Sequence, residues 1–460
     1  MFNTGRSTIV VWTMLVALVA CGDDQTLTGP SNGGDAAQTA TVTGSVENTQ
    51  ETASAPAATI GLATTPTQQV AGEASTVAVA AVSADGSLDV LAEAEVQSDG
   101  RFTIEDVPAG RSGLVISARA SDGTEVGRAL VHGVTEAGAT TVTAPVNGET
   151  TVQGLVYSRL AAAGVSEEIR NTARLALLIR MEQATAEEVA ASATSIQAVA
   201  DAYRAGTEAE SQVFAKAGTD RGAQLEALIE AARQHAESQH AQSRDGGTRP
   251  DVAQDTFIDA ALEAFARGGA SSGDISLATS AGATGLDQAG TVANENARLD
   301  IARNAVELNL AARQKFVAEM DDSNERSAAA SALAEARVEV RASASVSDVA
   351  RALADAEAGV EQELTSMILA RLPSQVPLAV RANIESRLET AFAEANLSAS
   401  VRGLTDVSSI VQAVLDYRDQ VRSAVDAFVA ELPSGLSVDA EFTADLLVAL
   451  RGGPAIGPAS

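Results

Sequence analysis

The chain has 460 residues, enough for two or three domains, and carries 61 acidic against 31 basic residues, for a net charge of −30. A surface this acidic repels nucleic-acid phosphates and anionic lipid headgroups, which predicts that nucleic acid is not a partner. The one cysteine, Cys21, excludes an internal disulfide framework and a Cys-x-x-Cys metal site. Aromatic residues make up 3% of the chain, so the core has to be built from Ala, Val, Leu and Ile.

The N-terminus has the pattern of an export signal. Arg6 precedes an apolar run from Ile9 to Ala20, which is shorter than the ~20 apolar residues that a bilayer requires and is typical of a signal peptide. The run ends in Leu18-Val19-Ala20-Cys21, which resembles a bacterial lipobox. The resemblance implies that residues 1–20 are cleaved off, that Cys21 receives diacylglycerol on its sulfur, and that the new amino group is acylated.

Two other interpretations of Cys21 stay open, namely a stray cysteine after an ordinary secretory signal and a reactive thiol. Acylation would provide the two or more lipid chains that stable anchoring requires.

Residue 22 is Gly and not Asp, and an Asp there would resemble an inner-membrane retention signal. We therefore expect the outer membrane of a Gram-negative bacterium. Residues 21–40 are polar and glycine-rich and predict a flexible tether.

Residues 41–155 have the pattern of β-structure. A weakly alternating segment at 41–46 and a period-two segment at 76–83 flank a low-complexity stretch at 47–75, which predicts a long loop. Three Asp-Gly dipeptides lie between apolar segments, where hairpin turns favour them because Gly accepts a positive φ. They are Asp85-Gly86, Asp99-Gly100 and Asp122-Gly123. The pattern predicts an antiparallel β-sandwich.

One segment also resembles a known family. Residues 99–110 read DGRFTIEDVPAG, which is similar to the DG-x-F-x-(I/L)-x-x-(V/L)-P-x-G signature of carboxypeptidase-regulatory-like domains, and residues 42–46 are similar to their opening strand. The resemblance covers about a quarter of the chain and departs from the family in the insertion at 47–75. It implies a small prealbumin-like β-sandwich that is non-catalytic and serves as a folding partner, spacer or ligand-contact module. The resemblance identifies no ligand-binding residues in this chain.

Residues 156–450 have the composition and period of α-helices. Ala-rich segments, separated by few prolines, predict a mostly helical and elongated bundle, because Ala buries little area per residue. Ser166 predicts one helix start, and Thr185 predicts another through a capping box. The predicted helices are 165–182, 186–205, 208–242, 251–267, 290–320, 324–342, 346–371, 378–395, 404–432 and 437–450. A Gly/Ser stretch at 268–290 divides this region, and residues 451–460 are a flexible tail.

Two predicted helices carry apolar stripes. A heptad-like seam, interrupted by Arg418, consists of Leu404, Val407, Val411, Val414, Val421, Val425, Phe428 and Leu432. A second face consists of Ile301, Ala305, Leu308, Ala312, Phe316 and Met320. Packing against neighbouring helices accounts for both stripes, and the alternative is a docking face for another protein.

Common catalytic motifs are missing from the sequence. Neither Lys216 nor Lys315 follows the residues that a P-loop or a Ser-x-x-Lys nucleophile requires. There is no His-Glu-x-x-His motif and no EF-hand loop. Ser280 stands in Ala278-Thr279-Ser280-Ala281-Gly282, which lacks the first Gly of a nucleophile elbow.

The three histidines do not predict a metal site. His235 and His240 are five residues apart and lie on different helix faces, so we expect exposed helix residues. His132 falls at a predicted strand end and is assigned a structural role.

These observations predict a lipid-anchored cell-envelope protein without catalytic, metal or cofactor residues, whose one site residue is Cys21. Its partners would be the membrane, through the N-terminal lipid, and other proteins, for which it acts as a spacer, scaffold or docking module. The alternative is a lipoprotein that binds a sugar, a peptide or Ca²⁺ through its β-sandwich. An envelope hydrolase is a third hypothesis.

Overall fold

The computed structural model describes residues 38–47, 74–244, 251–270, 294–319, 324–346 and 377–394, together with isolated positions between 348 and 427. The signal peptide and the C-terminal tail lie outside the described residues, as do nearly all of the tether, of the 47–75 loop and of the Gly/Ser stretch. In the described part, strands come first and helices follow. The predicted order of a β region and then a mostly helical region is confirmed.

Within the described ranges, seven strands form two sheets. They are β1 (Thr39–Ser45), β2 (Thr76–Val82), β3 (Leu88–Glu95), β4 (Arg101–Pro108), β5 (Leu114–Arg119), β6 (Glu125–Leu130) and β7 (Thr140–Val142). The first sheet has the order β4-β1-β7, in which β1 is antiparallel to β4 and parallel to β7. The second sheet is antiparallel throughout and has the order β3-β2-β5-β6.

The two sheets share one cluster of buried apolar side chains. Val42, Phe102 and Ile104 come from the first sheet, and Val79 and Ile116 come from the second; all five are fully buried. Alternation along each strand places these residues on one face, since successive side chains of a strand point to opposite sides. In β1 and β4 the period-two pattern therefore marks the face that is buried, whereas β2 and β5 are buried on both faces.

The three Asp-Gly dipeptides all form turns, and all three glycines have a positive φ. In each turn the aspartate Oδ1 accepts the backbone N–H two residues later, from Ser87, Arg101 and Thr124 respectively. The first and third turns join antiparallel neighbours, as predicted for hairpins. The second turn instead joins β3 to β4, which belong to different sheets, so the hairpin predicted at that position is wrong.

A β-bulge lies in β4, where Glu105 and Asp106 stand opposite Thr41. Asp106 is exposed and has a φ of 57°, the left-handed region that Asp tolerates and β-branched residues avoid. We expect Asp106→Val to lower the free energy of unfolding by about 1–2 kcal/mol, measured by urea denaturation. Asp106→Gly is the matched control and should not destabilise the fold, and equal losses in both variants would contradict this account.

Nine helices that follow the strands have their bounds within the described residues. They are α1 (Gly148–Ala162), α2 (Thr172–Leu178), α3 (Gln183–Ala190), α4 (Ala193–Ala217), α5 (Arg221–Arg244), α6 (Asp251–Arg267), α7 (Glu295–Glu319), α8 (Asn324–Ala342) and α9 (Leu378–Glu394). The predicted bounds of α6 and α8 are confirmed to the residue. The predictions over 346–371, 404–432 and 437–450 lie mostly or wholly outside the described residues.

Helix α1 was not predicted, because the β pattern was extended to residue 155. Its first turn is fixed by Asn147, whose side chain accepts the N–H of Thr150, while Thr150 Oγ1 accepts the N–H of Asn147. The helix lies very close to β6: a Cβ on Gly154 would be 2.7 Å from Arg128 Cβ. Packing on the sheet thus overrides the weak helix propensity of this β-branched, glycine-containing segment.

Other helix ends also differ from prediction. The predicted helices 186–205 and 208–242 leave a break at 206–207, but both of these residues are buried inside α4, which ends at Ala217 and is capped by Gly218 in the left-handed conformation (φ 69°). Ser166 directly precedes a turn at 167–170 and not a helix, and α2 begins later, with Asn171 as its N-cap. The capping box predicted at Thr185 is wrong, because α3 begins at Gln183 and Thr185 is buried within it.

A second buried cluster joins the outer face of the second sheet to the helices. Ala80, Val115 and Leu130 of the sheet lie in it beside Val152 and Val156 of α1. The cluster continues through the later helices as far as α7, whose predicted apolar face contributes Ile301, Leu308 and Ala312. Of the seam predicted from Leu404 to Leu432, only the first position is among the described residues. The helical region is therefore packed directly on the sheet through a continuous core.

Candidate functional site

The predicted site residue, Cys21, lies outside the described residues. Within the described part of the chain, no group of three or more His, Cys, Asp or Glu side chains could hold a metal ion. Across those same ranges, no helix is both long and apolar enough to cross a bilayer.

The two helical histidines were expected to be exposed, and this prediction is wrong. Both are partly buried. The His235 ring stacks on Phe257 with 4.4 Å between ring centroids, and His240 Nδ1 lies 3.1 Å from Ser45 Oγ of β1. They connect α5 to a neighbouring helix and to the first sheet.

His132 is buried where the segment after β6 meets the helices. Its Nδ1 lies 3.2 Å from Thr172 Oγ1, and its carbonyl accepts from Arg233 Nε at 3.0 Å. Arg233 Nη2 also donates to the carbonyl of Val134 at 2.9 Å, so one guanidinium clamps this segment to α5. Burial and, to a smaller extent, the charge of Arg233 lower the pKa of His132 from 6.5 to about 4.

The lowered pKa of His132 predicts acid destabilisation. His132 binds a proton near pH 6.5 in the unfolded chain but only near pH 4 in the folded chain. The stability that neutral His132 contributes is therefore fully present above pH 6.5 and is lost as the pH falls toward 4. The free energy of unfolding should fall by about 3 kcal/mol over this pH range. Urea midpoints of wild type and His132→Asn at pH 7.5 and 4.5 test this, since the variant should lose less stability over that range. An identical loss in both proteins would contradict it.

The strongest candidate site is a mostly buried group of charged and aromatic side chains between α2, α4, α5 and α6, which we call the ionic junction. It consists of Glu168, Arg174, Tyr203, Glu210, Arg221, Gln224 and Phe265. At its centre both terminal nitrogens of Arg174 face the carboxylate of Glu210. The side chain of Arg174 is 5% exposed and that of Glu210 is 0% exposed, so this is a desolvated ion pair.

Two aromatic side chains, Phe265 and Tyr203, lie next to this ion pair. The Arg174 guanidinium carbon lies 5.4 Å from the centre of the Phe265 ring, within the range of a cation–π interaction. The Tyr203 hydroxyl donates to the carbonyl of Ile169 at 3.0 Å. Burial raises the pKa of Tyr203 to about 12 and lowers the pKa of Arg174 to about 10. Tyr203 therefore stays neutral and Arg174 stays charged at neutral pH.

Polar residues of α7 form a separate network. The Asp300 carboxylate accepts the backbone N–H of Glu182 at 3.1 Å, and Asn304 Nδ2 donates to the carbonyl of Arg180 at 2.8 Å. Burial raises the pKa of Asp300. Glu307, which is buried, accepts from Arg341 Nε of α8 at 2.7 Å. These contacts hold the α2–α3 connection against α7 and hold α7 against α8. The role of this network is therefore structural.

None of these buried groups was predicted from sequence. Arg174 had a signal that could have found it, because it is the one charged residue in the apolar run Ala173 to Ile179, and an arginine inside such a run requires a buried partner. Glu210 had no such signal among the many acidic residues. Chemically, the ionic junction provides guanidinium groups and a phenol.

Comparison of the chain with protein-family models, with curated proteins and with solved structures finds no match to any of them.

Proposed function

We propose that the chain is a lipoprotein of the bacterial cell envelope, anchored in the outer membrane through acyl groups on Cys21, and that its body is a non-catalytic spacer, scaffold or docking module. The observation that carries the proposal is the sequence Leu18-Val19-Ala20-Cys21 at the end of the apolar run. A polar, glycine-rich tether directly after Cys21 would separate the folded body from the membrane surface.

The body that we propose is a carboxypeptidase-regulatory-like β-sandwich followed by an elongated helical bundle. The buried cluster shared by the two sheets supports the sandwich. The turn aspartates support a structural role over Ca²⁺ binding, because Asp85, Asp99 and Asp122 each accept a hydrogen bond from their own turn. The continuous core from the second sheet to α7 supports a rigid spacer.

Metabolic labelling tests the anchor. We expect radiolabelled palmitate to enter the wild-type protein expressed in a Gram-negative host and to be absent from Cys21→Ala, because that variant lacks the thiol that accepts the lipid. The variant should also keep its signal peptide, which is visible by mass spectrometry. Ser31→Ala, in the tether, is the matched control and should be labelled like wild type. Label in Cys21→Ala, or none in wild type, would overturn the proposal.

A further inference from the structure

Hydrogen-bond donors outnumber acceptors at the ionic junction. Five buried nitrogens make no hydrogen bond among the described residues: Arg174 Nε, the three nitrogens of Arg221, and Gln224 Nε2. Arg221 Nε has an ion-pair contact with Glu168, and one buried acceptor, Glu210 Oε2, also makes no hydrogen bond. Buried donors without acceptors cost free energy, so such groups mark a place where an acceptor is missing. Gln224 is 1% exposed and lies one helical turn after Arg221, so the two side chains share a face of α5.

The two ion pairs of the junction also differ in burial. Arg174 and Arg221 are close enough for the charge of Arg221 to lower the pKa of Arg174. Glu210 is the buried carboxylate and is already paired with Arg174. The other carboxylate, Glu168, lies 2.5 Å from Arg221 Nε, but its side chain is 55% exposed whereas that of Arg221 is 16% exposed. Among the described residues, the counter-ion of the mostly buried Arg221 is therefore a carboxylate that is itself largely exposed to solvent.

We infer that the ionic junction binds a small oxyanion, a carboxylate or phosphate group, between the guanidinium of Arg221 and the side-chain amide of Gln224. The planar guanidinium presents parallel N–H groups that match two oxygens of such a group. Glu168 now stands beside the Nε of Arg221, at the exposed side, and would be displaced by the entering anion. The inference is independent of acylation at Cys21, since no residue of the N-terminal segment takes part.

Titration of the full chain in non-ionic detergent micelles tests the inference. Inorganic phosphate is followed by phosphorus NMR and acetate by carbon NMR, at constant ionic strength. We expect saturable binding of at least one of them, and the comparison of the two identifies the group that the site prefers. Arg221→Gln should weaken binding by about tenfold or more, because it removes a charge-assisted pair of hydrogen bonds. Glu168→Gln should strengthen binding by about two- to fivefold, because it removes a competing exposed charge.

Two controls separate this site from general effects of charge and folding. Arg101→Gln removes the same charge from β4 and should leave the affinity unchanged. Circular dichroism checks the fold of each variant, and if Arg221→Gln is unfolded, Arg221→Lys replaces it and should also weaken binding, because Lys lacks the planar fork. Absence of saturable binding in wild type, or an unchanged affinity in a folded Arg221 variant, would overturn the inference.

Discussion

Replacement of Glu210 with Gln is expected to lower the free energy of unfolding by about 3–5 kcal/mol, because it leaves the charged Arg174 buried without its counter-ion. The side chains of this pair are 5% and 0% exposed, so water cannot take the place of the lost carboxylate. Chemical denaturation followed by circular dichroism measures the loss. Arg204→Gln is the control on the same helix: its side chain is 43% exposed and pairs with Asp201 at 3.7 Å, so the loss should stay below about 1 kcal/mol.

The double variant Arg174→Met, Glu210→Leu sharpens this test. Removing both charges together should restore most of the lost stability, because a buried ion pair replaced by well-packed apolar side chains is often neutral or stabilising. If Glu210→Gln alone is as stable as wild type, the pair is not desolvated in solution and the ionic junction is not as described.

Phe102→Ala is expected to lower the free energy of unfolding by about 3–5 kcal/mol, because it leaves a cavity between the two sheets. Phe102 is fully buried and its ring covers Gly44 of β1, where a Cβ would be 2.5 Å from Phe102 Cζ and 2.4 Å from Thr143 Oγ1. Gly44→Ala should therefore also destabilise, by about 1–3 kcal/mol, through overpacking. Denaturation in urea measures both variants.

A double-mutant cycle tests the direct contact between these two positions. In Gly44→Ala, Phe102→Ala, the loss should be smaller than the sum of the two single losses, because the truncated ring removes its clash with the new Cβ. Additive losses would show that Gly44 and Phe102 act independently. The cycle also tests why Gly44 and Phe102 occur together in the two segments that resemble the carboxypeptidase-regulatory-like pattern.

Local signals in the sequence were sufficient to predict the structural features that depend only on residues close together in the chain. The Asp-Gly turns at Gly86 and Gly123 were predicted because a positive φ and an Asx hydrogen bond need only adjacent residues. The bounds of α6 and α8 were predicted because their Ala-rich segments have high helix propensity and clear breaks. The order of strands before helices follows from the change of hydrophobic period.

The sequence by itself determined the acidic, Ala-rich composition, the β-then-α order and the turns, because these depend on residue type and spacing. Only the tertiary structure decided that Gly148–Ala162 is a helix, that the turn at Gly100 crosses between sheets, and that Arg174 pairs with Glu210. These features depend on contacts between segments that are distant in the chain. The free energy of burial then selects among conformations that local propensity leaves nearly equal.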